Sequence, residues 1–137
     1  MNFTKPWIAF PQDPDTRVPV LDVFLRTVEG GQTRELFVVD SGADVSMATR
    51  YLCEALGLQW DAGTRVELRG IVAREECRVL ASLHQVEIYI RDADRRFTIP
   101  MCFADSDDAP LLLGRDGFFD AFGIYLDKKN LLTRFDW

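Results

Sequence analysis

The chain has 137 residues, of which 47% are hydrophobic and 28% charged, and its net charge is −6. This length suits one folded domain, and the apolar fraction excludes a disordered chain. The acidic balance argues against a surface that follows a phosphate backbone, so we expect no nucleic-acid partner. No segment has the roughly 18 apolar residues of a membrane helix, and the N-terminus lacks a secretory signal pattern. We therefore expect no membrane contact and a cytoplasmic location.

The first half of the chain is predicted to contain an arm, a hairpin and a helix. Residues 1–16 have three prolines among polar residues and are expected to form an irregular N-terminal arm, which leaves the folded domain at 17–137. Branched apolar residues predict strands at 18–27 and 33–39 around a glycine-rich hairpin turn. Apolar residues at helical spacing then predict a short helix at 47–56.

The rest of the chain is predicted to be mainly β-structure. Turn signals separate short apolar or alternating segments, and one more short helix is expected at 116–122. Many short strands with few helices predict a mostly β fold, a small closed antiparallel β-barrel-like domain with one or two short helices. The predicted strands lie at 64–68, 77–83, 85–91, 97–103, 111–113, 123–126 and 131–135.

The most informative local pattern is FVVDSGA at residues 37–43, where an apolar strand runs into Asp-Ser-Gly-Ala. A carboxylate at the end of a buried strand, here Asp40, is costly unless hydrogen bonds or a partner hold it. Gly42 permits a tight turn, and the hydroxyl of Ser41 can bond backbone groups in that turn. Two other interpretations stay open: an Asx-type turn that only ends a strand, and a phosphodegron ending at Ser46, although the apolar run predicts burial.

A second pattern, LLLGRD at residues 111–116, makes the first more specific. The two patterns, in this order and with a β-rich stretch between them, resemble the retropepsin-like aspartic peptidases. That family includes the retroviral proteases and many single-domain cellular relatives. The resemblance covers about residues 18–135 and implies an acid-protease domain whose two motif strands cross beneath the active site.

The resemblance also implies a mechanism with Asp40 as the catalytic residue. Two facing carboxylates share one proton; the ionised one acts as general base on a water, and the protonated one polarises the scissile carbonyl. No metal or cofactor is needed. Because the chain has a single Asp-Ser/Thr-Gly tripeptide, the mechanism requires a homodimer with an isologous two-fold interface and a peptide or protein substrate.

Several residues are assigned supporting roles by the same resemblance. Ser41 matches a hydroxyl that bonds across the dimer axis, and Asp44 matches an acid that pairs with the arginine of Gly-Arg-Asp. We therefore expect an Asp44–Arg115 ion pair within one subunit, with a solvated loop acid as the alternative for Asp44. The expected supporting residues are Ser41, Gly42, Ala43, Asp44, Gly114, Arg115 and Asp116.

Residues 65–80 occupy the place of the family's flap, a hairpin that closes over bound peptide. The expected substrate-binding tip is Gly70, Ile71, Val72 and Ala73. Retroviral flaps are glycine-rich at the tip, whereas this one has a single glycine followed by charged residues. An ordinary exposed hairpin is the alternative interpretation.

Other residues with reactive side chains do not form a recognisable site in the sequence. His84 has no metal-ligand spacing and no nucleophile elbow accompanies it, so a surface or structural role is expected. The acidic clusters at 92–94 and 105–108 lack the glycine and trailing glutamate of a calcium loop, so solvated turns are expected there. The three cysteines form neither a Cys-x-x-Cys pair nor an even set, so free thiols and no metal are expected.

Two functions from different classes fit these patterns. The first is an aspartic endopeptidase, a hydrolase that acts as a homodimer. The alternative is a catalytically silent module of the same fold, which binds an extended peptide by strand addition or serves in dimerisation. The intact Asp-Ser-Gly-Ala favours the enzyme, whereas the unusual flap and the absence of a second Asp-Ser/Thr-Gly motif favour the module. The oligomeric state discriminates between them, since a strictly monomeric protein has no carboxylate pair.

Overall fold

The computed structural model describes residues 1–10, 12–68 and 79–137. One regular helix, α1, spans Arg50–Ala55, and short 3-10 turns lie at Trp60–Ala62 and Arg91–Ala93. The strands in chain order are β1 Asn2–Pro6, β2 Ile8–Phe10, β3 Asp13–Val18, β4 Val20–Arg26, β5 Gln32–Val39, β6 Ser46–Ala48, β7 Thr64–Leu68, β8 Val79–Ile90, β9 Arg95–Ala104, β10 Leu112–Leu113, β11 Gly123–Asp127 and β12 Leu132–Asp136.

Six of these strands close a barrel, which confirms the predicted fold class. Around the ring the order is β4, β5, β10, β6, β9 and β8, and β8 pairs back onto β4. Phe24 of β4 lies opposite Arg34 on one side and Tyr89 on the other, so the ring closes through β4. The pairs β5–β10 and β6–β9 are parallel and the others antiparallel.

The core of the barrel follows from the alternation of side chains along its strands. In β4 every second residue points inward, so Leu21, Val23 and Leu25 are fully buried. Phe37 and Val39 of β5 are buried in the same core. β5 is hydrogen-bonded to β4 on one side and to β10 on the other, so the position of the residue after Val39 is fixed relative to the core.

Residues 1–16 are not an irregular arm, and that expectation is wrong. β1 lies antiparallel to β12, and β2 pairs with β3. The ring of Phe3 stacks on Phe135 with centroids 4.7 Å apart, so apolar burial at the terminal sheet outweighs the local effect of the prolines. Pro6 is tolerated because β1 is an edge strand of the β1–β12–β11 sheet.

The helix predicted at 47–56 is shorter than expected. Met47 belongs to the buried strand β6, and α1 begins after Thr49, whose hydroxyl accepts a 3.1 Å hydrogen bond from the Leu52 N–H. A short apolar run fits a strand or a helix equally well, and a good N-cap at Thr49 decides where the helix starts.

Two later segments also differ from the predictions in detail. The predicted strands at 77–83 and 85–91 are parts of the single strand β8 within the described residues. The helix predicted at 116–122 is an irregular helical segment at Arg115–Phe119, interrupted where Asp116 and Gly117 leave helical geometry. The positive φ of Gly117, 83°, is one that glycine adopts without strain.

The buried cysteine of α1 gives a prediction about alkaline stability. Cys53 and Cys102 are free and buried, as expected, while Cys77 lies outside the described residues. Burial raises the pKa of the Cys53 thiol from 9.0 to about 11. Above pH 9 the unfolded chain therefore loses a proton that the folded chain keeps, and stability present below pH 9 is lost as pH rises towards 11.

We expect the free energy of unfolding of the native protein to fall between about pH 9 and 11, and that of Cys53→Ala to fall less. Near pH 10.5 the fall in the free energy of unfolding should be about 2 kcal/mol larger for the native protein than for the variant, since one pKa unit corresponds to about 1.4 kcal/mol. Urea titrations of both proteins across this range measure it. A parallel decline in both would contradict the assignment of the effect to Cys53.

Candidate active site

Asp40 follows directly after β5 and is half-buried. Its backbone N–H donates to the Leu113 carbonyl at 3.0 Å, and its Oδ1 accepts from the Gly42 N–H at 2.9 Å. The second bond is the Asx-type turn that the sequence left open as an alternative. The turn and a catalytic role are compatible, because the turn fixes the direction of the carboxylate.

The two sequence motifs form one ladder of main-chain contacts. Leu113 lies opposite Val39 in the parallel β5–β10 pair. Beyond the strand, the Arg115 N–H donates to the Ala43 carbonyl at 2.9 Å and the Asp116 N–H donates to the Asp44 carbonyl at 2.8 Å. Segments far apart in sequence thus fix each other on either side of Asp40.

The Arg115 side chain ties the loop after Asp40 at two points. Its Nη2 pairs with Asp44 Oδ1, as expected, and its Nη1 donates to the Ser41 carbonyl at 2.9 Å. The guanidinium fork is therefore shared between a carboxylate and a carbonyl. Because the Asp44 side chain is 81% exposed, the ion pair alone contributes little to stability. Its effect is to hold the loop after Asp40 in one conformation.

Ser46 joins the two motif segments through a contact that the sequence patterns did not predict. Its hydroxyl is fully buried and accepts a 3.0 Å hydrogen bond from the Gly114 N–H. A Cβ on Gly114 would lie 2.5 Å from the Val45 carbonyl carbon, so only glycine fits there. The signal available in the sequence was a hydroxyl placed in an apolar run directly after the Asp-Ser-Gly motif, where burial demands a partner.

A cavity of about 450 Å³ adjoins Asp40. Its volume falls within the range of ordinary ligand sites. The lining includes Val45 and Leu112, while the expected tip residues 70–73 lie outside the described residues. The apolar lining consists of Ala43, Val45, Met47, Val66, Leu68, Cys102 and Leu112.

His84 has a structural contact, and the acidic cluster at 105–108 is more than the solvated turn that the sequence predicted. His84 Nε2 is 3.0 Å from the Ser82 hydroxyl in the wall of the barrel. Asp105 pairs with Arg50 at 2.7 Å, and Asp107 accepts from the Tyr51 N–H at 2.9 Å, so this acidic cluster anchors α1. Within the described ranges no cluster of His, Cys, Asp and Glu could hold a metal ion, and no helix could cross a membrane.

Comparison with solved structures places this geometry among known folds. The chain is similar to a retropepsin-like aspartic protease from Rickettsia conorii, with 17% identity, 98% of each chain covered and a TM-score of 0.67. The chain has the retropepsin-like fold. It is also similar to EIAV protease in complex with the inhibitor HBY-793, with 20% identity, 83% of this chain and 94% of that chain covered and a TM-score of 0.51. No protein-family model matches the sequence, and no curated protein matches it significantly.

The close approach at Gly114 gives a prediction about stability. Gly114→Ala places a methyl group against the Val45 carbonyl and should destabilise the fold by about 1–3 kcal/mol, the usual cost of overpacking. Gly123→Ala is the matched control, because its nearest contact would be Asp136 Cβ at an ordinary 3.7 Å, and its effect should stay within about 0.5 kcal/mol. Urea unfolding of both variants measures the difference, and equal stabilities would contradict the contact.

Proposed function

We propose that the protein is an aspartic endopeptidase that acts as a homodimer, in which each chain supplies Asp40 to a water-activating pair. The observation that carries this proposal is the position of Asp40 at the edge of an apolar cavity. Its carboxylate accepts the Gly42 N–H, and its backbone N–H donates to the Leu113 carbonyl. An apolar cavity beside a fixed carboxylate suits a peptide with apolar side chains flanking the scissile bond.

The proposed reaction needs two Asp40 carboxylates that share one proton. The ionised carboxylate takes a proton from a water, and the resulting hydroxide attacks the scissile carbonyl carbon. The protonated carboxylate gives its proton to the carbonyl oxygen, which forms a tetrahedral diol. In the collapse of the diol, the carboxyl that took the water proton gives it to the leaving nitrogen as the C–N bond breaks. The other, ionised carboxylate takes a proton from a diol hydroxyl, which forms the product acid and restores the shared proton.

The neighbouring residues support this reaction by holding Asp40 in place. Gly42 and Ala43 form the turn, while Arg115 pairs with Asp44 and binds the Ser41 carbonyl. We assign Gly114 and Asp116 to the same support through their main-chain bonds.

Two further assignments belong to the proposal. The hairpin β7–β8 leads into the segment assigned to the flap, and Val66 and Leu68 at its base line the cavity. We assign Gly70, Ile71, Val72 and Ala73 to the cover over bound peptide. A cytoplasmic location fits the free thiols of the described cysteines, since such thiols persist in reducing compartments.

The direct test is Asp40→Asn. We expect peptide-library cleavage to fall about 10³-fold or more, because the variant loses its general base, while circular dichroism and dimer mass stay unchanged. Asp108→Asn, at an exposed loop carboxylate, is the control and should cleave like the native protein. Unchanged cleavage in Asp40→Asn would remove Asp40 from the mechanism, and peptide binding without cleavage in the native dimer would favour the silent module.

A mixing experiment tests whether the pair spans two chains. When native chains exchange with a ninefold excess of Asp40→Asn chains, most native chains have a variant partner, so activity per native chain should fall about tenfold. Excess Asp108→Asn should cause no fall. Activity that depends only on the number of native chains, together with a monomeric mass in sedimentation, would contradict the shared pair.

A further inference from the structure

A second cavity, of about 460 Å³, lies on the outer face of the barrel. It opens beside the turn between β4 and β5, whereas Asp40 follows the opposite end of β5. Val39 is seven residue steps along β5 from Gln32, so at about 3.3 Å per step the two ends are about 23 Å apart. The lining residues are Phe24, Arg26, Gly30, Gly31, Gln32, Glu87, Tyr89 and Arg96. None of them lines the cavity beside Asp40.

Two aromatic rings form one side of this cavity. Phe24 and Tyr89 lie directly opposite each other in the β4–β8 pair, with ring centroids 6.0 Å apart. The Tyr89 hydroxyl donates a 2.9 Å hydrogen bond to Asp94 Oδ1, and this bond orients the Tyr89 ring. The cavity therefore offers an apolar surface to a flat group of a ligand.

Arg96 supplies a positive charge beside these rings. It lies opposite Tyr89 in the β8–β9 pair, and its guanidinium is stacked over the Tyr89 ring, 4.2 Å from the centroid. Arg96 forms no ion pair with any residue in the described ranges, and its side chain is exposed. A stacked guanidinium keeps its N–H edge available for a carboxylate, which that edge can bind with two parallel hydrogen bonds.

The cavity also contains an ion pair between Arg26 and Glu87, and this pair is weak. Arg26 Nη1 lies 3.3 and 3.4 Å from the two carboxylate oxygens of Glu87, and the Arg26 side chain is 59% exposed. An exposed pair of this kind contributes little, so Arg26 can turn towards an entering anion. Two arginines against one glutamate leave this cavity positive on a chain whose net charge is −6.

We propose that this cavity binds a ligand that carries a carboxylate next to an aromatic group, with the carboxylate on Arg96 and the ring against Phe24 and Tyr89. Such chemistry occurs at the C-terminus of a peptide or at an acidic side chain beside an aromatic residue. The site is independent of the proposed peptidase activity.

Titration of the isotope-labelled protein by NMR tests this site with small probes. N-acetylphenylalanine should bind with millimolar affinity and shift the amides of Phe24, Gly31 and Tyr89, whereas N-acetylphenylalanine amide should bind at least tenfold more weakly. The blocked dipeptide N-acetyl-Phe-Glu-amide, which carries only a side-chain carboxylate, distinguishes the two sources. Stronger binding of the free terminal acid assigns the site to C-termini, and stronger binding of the dipeptide assigns it to acidic side chains.

Variants separate the site from general attraction to a positive surface. Arg96→Gln should lower the affinity for N-acetylphenylalanine at least tenfold. Glu87→Gln should raise that affinity several-fold, because it removes a negative charge that repels the carboxylate of the probe. Arg134→Gln is the matched control, because Arg134 also stacks on an exposed ring, that of Tyr125 at 4.0 Å, but lines neither this cavity nor the one beside Asp40.

Equal affinity of the acid and its amide, or native affinity in Arg96→Gln, would overturn the proposal. Asp40→Asn should bind the probe like the native protein whether or not the peptidase assignment holds. A failure of either proposal can therefore be recognised separately.

Discussion

The main chain at Gly114 lies so close to the peptide that joins Val45 to Ser46 that no side chain fits between them. This contact sets the distance between two segments that are far apart in sequence. At that distance the buried Ser46 hydroxyl accepts the Gly114 N–H, and the Leu113 carbonyl reaches the Asp40 N–H. Each bond satisfies a polar group that would otherwise be buried without a partner, so a shift of either segment would lose several bonds at once.

The closed barrel makes this contact possible. β4 pairs on both sides, with β5 and with β8, and its inward residues fill the core. The cavity beside Asp40 is lined from β6, β7, β9 and β10 as well as from the loop after β5, so its shape depends on closure of the ring rather than on any one segment. A change deep in the barrel can therefore alter the cavity without touching Asp40.

Local patterns in the sequence predicted most of the barrel, because branched apolar residues around a turn signal are typical of strands such as β4 and β5. They failed where a distant partner decides the structure. Phe3 is ordered by stacking on Phe135, at the other end of the chain, and the Ser46 hydroxyl is explained by a donor 68 residues away. The Asp44–Arg115 pair was predictable only through the family resemblance, because nothing in the local pattern indicates that two residues 71 positions apart are in contact.

The charges around Asp40 bear on how two copies can meet. In a symmetric dimer every group near the two-fold axis approaches its own copy, so an uncompensated acid there repels itself. Asp44 is exposed, but Arg115 of the same chain neutralises it. In the proposed dimer the Asp40 carboxylate, which has no such cation among the described residues of its own chain, would face the Asp40 carboxylate of the partner chain. Two facing carboxylates repel when both are ionised, so this arrangement favours one proton held between them. Main-chain bonds of its own chain hold Asp40, so in the proposed dimer the separation of the two carboxylates would depend on how the two subunits are placed. In that proposal the dimer interface, more than the loop itself, would set the geometry of the pair.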